Sequence, residues 1–151
     1  MTYNPQGIEQ KQQKMLLSAI GHVRQGAIQF QETITSSGFI YELPAYRPFF
    51  DKLEKALNYI DTCQGFSEKD AQLQAHMEVL KAGASPLVWQ LQMESSKNLH
   101  EVDDAHNHAW AIEMHDLKNK VNIINGFMGV MHSSIETLMQ GPVKTRGGMS
   151  V

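Results

Sequence analysis

The 151 residues suffice for one domain with one core, and the 42 % hydrophobic content supplies that core, which excludes a globally disordered chain. A net charge of −3 gives no electrostatic case for nucleic acid binding, which usually wants a basic face, and the single Cys63 excludes an internal disulfide framework or a Cys-rich zinc site. Few prolines and aromatics, beside many Ala, Leu, Gln, Glu and Lys, favour helix over sheet, and no apolar run approaches the ~20 residues of a membrane span.

The first helical pattern covers residues 7–36. Leu16, Ile20, Val23, Ala27, Phe30 and Ile34 alternate steps of four and three and make one apolar seam. Gly21 and Gly26 weaken this helix, and either could mark a close contact. Ser36-Ser37-Gly38 ends it, and 38–46, with Pro44, is a connector. A second helix is expected over 47–63, with Pro48 in its first turn and Phe49, Phe50, Leu53, Leu57 and Ile60 on one face, stopped by Gly65. Ser67 with Asp70 three residues later resembles a capping box and predicts a third helix over 68–82, with Leu73, Met77 and Leu80 inward and Gly83 closing it. Ser85-Pro86 predicts N-cap and N1 of a fourth helix, which Val88, Leu91, Leu99 and Val102 could continue past the polar patch Ser95-Ser96-Lys97-Asn98.

The last helix has the clearest pattern. Trp110, Met114, Leu117, Val121, Ile124, Met128, Met131, Ile135 and Leu138 hold a strict four-three spacing, and Gly141-Pro142 is expected to end it. The expectation is an all-α, antiparallel helical bundle of four to five helices with a long C-terminal helix: one domain over 1–142 and a disordered tail over 143–151. The seam of the last helix could also pair between chains, so monomer and homodimer both stay open. The N-terminus, Met1-Thr2-Tyr3-Asn4-Pro5-Gln6, lacks the charged and apolar regions of a signal peptide, so a cytoplasmic location is expected.

The run from Met114 to Gly126 concentrates the chemistry. Residues three and four apart on a helix are surface neighbours, so Lys118 and Asn119 belong beside the imidazole of His115. An imidazole flanked by a cation and an amide suits taking up and handing on a phosphoryl group. His115 points away from the seam, and His108, Ile112, Asn119, Asn122 and Gly126 stack with it in a stripe long enough to receive another protein. Gly126 costs about 1 kcal/mol relative to Ala inside a helix. Close approach by a partner's backbone would account for it, as would a local bend or packing against a neighbour.

The order His-acid-Leu-Lys-Asn-x-Val-Asn-x-Ile-x-Gly, met from His115 to Gly126, resembles the phospho-acceptor box of sensor histidine kinases. Asn119-Lys120 resembles the sporulation phosphotransferase and citrate-sensor branch of that family, although the usual proline after the Asn is Lys120 here. Family kinases carry a second hairpin helix and an ATP-binding domain after the box. No glycine-rich phosphate loop occurs in this chain, so autophosphorylation from ATP is not expected. Size and helical layout are similar to those of histidine phosphotransfer domains. Their His-x-x-Lys-Gly motif is matched by His115 and Lys118, with Asn119 in place of the Gly.

The resemblance implies a histidine phosphotransferase of two-component signalling. His115 would exchange a phosphoryl group with the aspartate of a response-regulator receiver, and a sensor histidine kinase is a possible further partner. Exposed imidazoles are mostly neutral and nucleophilic at pH 7 or above. Lys118 would neutralise phosphate oxygens, and Asp116 would orient the imidazole and accept its proton. The Mg²⁺ would belong to the receiver, with no cofactor or metal of the chain's own. A second reading uses Asp116-x-x-Asn119, which resembles the acid-x-x-Asn/Thr pattern of receiver phosphatases, with the amide positioning a water. A third is a non-catalytic helical adaptor in which His115 is incidental.

Other groups have plainer explanations. His100, Asp103, Asp104, His106, His108, Glu113 and His115 offer metal-ligand chemistry but no His-Glu-x-x-His or repeated Glu-x-x-His spacing, and a solvated helix start accounts for them. Cys63 fits a packed small hydrophobe, Trp89 and Trp110 fit core or interface, and Met114, Met128, Met131 and Met139 fit core filling.

Overall fold

The computed structural model describes the backbone over 5–37, 46–95 and 104–147, and side chains over 9–36, 46–94 and 109–140. Five helices follow in chain order: α1 (Pro5–Ser37), α2 (Tyr46–Thr62), α3 (Ala71–Ala82), α4 (Ser85–Ser95) and α5 (Asp104–Gly147). They form an all-α bundle of four antiparallel columns, because α3 and α4 join end to end as one. No helix among the described residues is long and apolar enough to cross a membrane.

The seams become the core. Leu16, Ile20, Val23, Phe30 and Ile34 of α1 are buried, with Ala27 at its edge. On α5, Met114, Leu117, Val121, Ile124, Met128, Met131 and Ile135 are all fully enclosed, with Trp110, Leu138 and Met139 packed around them. Fully burying an aliphatic side chain of this size contributes about 1.5–3 kcal/mol, so the seam holds α5 in place. The seam is filled within one chain, which removes it as a surface for pairing between chains.

Direct contacts fix the columns. α1 runs against α5 with the His22 ring stacked on Phe127 at 4.4 Å. One turn further, a Cβ on Gly26 would lie 2.7 Å from Ile124 Cγ1, so Gly26 marks the close approach and Gly21, with open space around it, does not. α1 meets α2 through Phe30, whose ring lies 4.9 Å from Phe50 and 5.8 Å from Tyr46, and through Arg24, paired with Asp61 at 3.0 Å and bonded to Asn58.

Three helix ends differ from the sequence expectation. α3 is capped by Asp70, not Ser67. The Asp70 carboxylate accepts the Leu73 N–H at 3.1 Å and also the Tyr59 hydroxyl of α2, so it serves two helices where Ser67 reaches only the Lys69 N–H. The Tyr59 hydroxyl is pushed up to about 12 by that hydrogen bond, by burial and by the Asp70 charge, while the same bond and the capping N–H hold the Asp70 carboxyl below the usual range.

The start of α4 is capped from outside. Val88 N–H bonds to Ala84 C=O, which makes Ala84, not Ser85, the boundary residue, and the Ala84 N–H donates to Asn125 Oδ1 of α5 at 2.8 Å. Leu87 and Leu91 are the buried residues of α4, with Val88 at the edge. Leu99, Val102 and the rest of 96–103 lie outside the described residues. Finally, α5 continues through Gly141-Pro142 to Gly147. Proline's fixed φ is compatible with a helix; its cost at position 142 is a missing N–H and a ring that crowds the carbonyl one turn back, which weakens or kinks the helix without ending it here. Residues 148–151 lie outside the described residues.

Candidate functional site

α5 builds the site and the core from one element. Successive residues turn about 100° around a helix, so Leu117 in the core leaves His115 on the opposite face. His115, Asn119, Asn122 and Gly126 are exposed on α5, and Ile112 is 56 % exposed. The predicted stripe is therefore present on one outward face, except that the side chain of His108 lies outside the described residues. Gly126 has open space where a Cβ would stand, so no neighbour among the described residues demands a glycine there.

The two lysines flanking His115 are held differently. Lys118 sits on the α4 side of α5, half-buried, and its ammonium donates to Gln92 Oε1 of α4 at 2.5 Å. Lys120 pairs with Asp116 one turn back, 2.8 Å between Nζ and Oδ2. The sequence expectation gave Asp116 to the imidazole. The structure gives its carboxylate to Lys120 instead, because adjacent residues diverge around a helix while residues four apart align.

Glu113 lies one turn before Asp116. Its Oε1 is shielded from solvent with no hydrogen-bond partner among the described residues. Burial, reinforced by the Asp116 charge and partly offset by Lys120, pushes its carboxyl above the usual range. Ser134 Oγ is likewise enclosed without a partner, deep in the α5 packing.

The other expectations divide. Cys63 is half-buried, its thiol donates to the Tyr59 carbonyl, and burial pushes its pKa up, which disfavours the thiolate. Among the described residues no cluster of His, Cys, Asp and Glu converges on a metal position. The backbone or side chains of His100, Asp103, Asp104, His106 and His108 lie outside the described residues. Trp110 packs against the core, whereas Trp89 is 66 % exposed on α4 with Met93 a turn away.

Gln92 and Asn125 are the residues that sequence reasoning missed. Asn125 stands four after Val121 and three before Met128, at the margin of the seam. A polar side chain there was the available sign of a partner on the next helix. Gln92 gave no sign, because its contact crosses 26 positions of sequence. Comparison with known proteins returns nothing: no family model, no curated protein and no solved structure matches the chain.

Proposed function

We propose that the protein is a cytoplasmic histidine phosphotransfer protein, in which His115 exchanges a phosphoryl group with the aspartyl phosphate of a response-regulator receiver. The observation that carries this reading is an exposed imidazole on a core-anchored helix, with a lysine three residues on whose only described partner is a neutral amide. In the step itself, an unprotonated ring nitrogen of His115 attacks phosphorus. The P–O bond to the receiver's aspartate breaks, its electrons leave with the carboxylate, and a P–N bond forms. Lys118 meets the charge on the phosphate oxygens. The ring proton passes to water, which the exposure of His115 permits, since Asp116 is engaged by Lys120.

His115→Gln is expected to abolish labelling of the protein from a phosphorylated receiver, and Lys118→Ala to slow it on the order of a hundredfold. Undiminished labelling of His115→Gln would remove His115 from the role. Asn119 supports a second reading, because its amide is exposed a turn away from His115 and is available to place a water on a receiver's phosphoaspartate. In that case Asn119→Ala, and not His115→Gln, ends an acceleration of receiver dephosphorylation.

A further inference from the structure

α4 is fastened across α5 at two points. At its start Asn125 Oδ1 accepts the Ala84 N–H, and about two turns later Gln92 Oε1 accepts from the Lys118 ammonium. Leu87 and Leu91, between these points, are buried. The backbone of Gln92 is therefore set by the packing of α4, and its amide oxygen holds a flexible ammonium at one place on the rim of the His115 face. The chemistry of that partner matters. An amide oxygen occupies one hydrogen of an ammonium, leaves the others free and cancels none of the charge. The contrast lies two residues away, where Lys120 is neutralised by the Asp116 carboxylate.

Resting on the reading of His115 as a phospho-acceptor, we propose that Gln92 is a positioning residue for that site: it orients Lys118 without neutralising it, and so keeps one net positive charge aimed at the phosphoryl oxygens. The side chain three positions from Trp89 thereby acts on the reaction through another residue and not by touching the substrate.

Gln92→Glu separates this role from a structural one. A carboxylate there pairs with Lys118, which keeps or strengthens the α4–α5 contact, but it removes the net charge and adds repulsion toward phosphate. Gln92→Leu removes the orientation and keeps the charge. The probe is phosphoramidate, a small donor that needs no docking surface. Its P–N bond breaks, ammonia leaves carrying the ring proton, and a new P–N bond forms on the imidazole. Phosphohistidine formation at His115 is followed by phosphorus NMR, with thermal unfolding measured on the same samples.

The expected order of rates is wild type, then Gln92→Leu, then Gln92→Glu, the last slowed on the order of tenfold or more while its unfolding temperature is equal to or above that of Gln92→Leu. Equal rates in all three proteins overturn the role of Gln92 and leave His115 as acceptor. Rates that simply follow unfolding temperature also overturn it. Absence of any labelling of wild type, from phosphoramidate and from phosphorylated receivers alike, removes the reading of His115 and this proposal with it.

Discussion

Two residues of α5 sit against local physics, and each offers a measurement. Gly126 is exposed inside a long helix with nothing over it among the described residues, so Gly126→Ala is expected to raise stability by about 1 kcal/mol. If a partner's backbone uses that space, the same substitution slows transfer from a phosphorylated receiver and leaves phosphoramidate labelling unchanged. Equal receiver transfer by both proteins takes Gly126 out of the docking surface. Glu113 is held above the usual carboxylate range by burial and by Asp116, so the folded protein binds its proton more tightly than the unfolded chain does. Its effect favours folding at low pH and turns against it as pH rises from the unfolded carboxylate value through the raised folded one. Glu113→Gln is expected to raise the urea midpoint at neutral pH and to flatten its dependence on pH across that window. A midpoint below wild type at pH 7 would contradict this account. At this scale the outward direction of His115 was legible, because helical periodicity alone sets it against Leu117. The partner of Asp116 was not, because Asp116 has several neighbours within reach and the chain order does not choose among them.

Among the elements, α4 depends most on its surroundings. It starts beside Gly83, whose φ of 68° and ψ of −162° fall in a region open essentially to glycine, and a Cβ there would also meet Asn125 Oδ1. The corner therefore needs a residue with no side chain facing a side chain that caps. Asn125→Ala is expected to cost about 1 kcal/mol, the usual loss for a missing cap, measured by chemical denaturation. The loss should fall on the amides of residues 84–88 in hydrogen exchange. Protection lost evenly along α5 instead would show that Asn125 supports its own helix and not α4. The existence of every helix was legible from the four-three seams and from Gly and Pro. The caps were not. Ser67 and Ser85 had the right chemistry at the right spacing, yet the ends went to Asp70 and Asn125 because each of those makes a contact that reaches another helix.

For the whole molecule, the bundle closes on itself: the α5 seam, which on paper could have joined two chains, is enclosed by α1 and by the α3–α4 column. Met128→Ala is therefore expected to cost about 2–5 kcal/mol, with an unfolding temperature independent of protein concentration. A strong concentration dependence would place part of that seam between chains. Bundle class follows from amphipathic helices on short connectors, which is why it could be foreseen, whereas the joining of α3 and α4 into one column could not. The use of the outer face could not be foreseen either, because exposed positions are free of the packing that makes core residues predictable. One consequence follows from α5 serving both roles. A single inserted residue between Leu117 and Val121 would swing everything before it by about 100° relative to everything after, taking either the histidine from the surface or the ridge from the interior. A change in the length of this rod therefore costs either the core or the outward histidine, while substitution along its outer side leaves both in place.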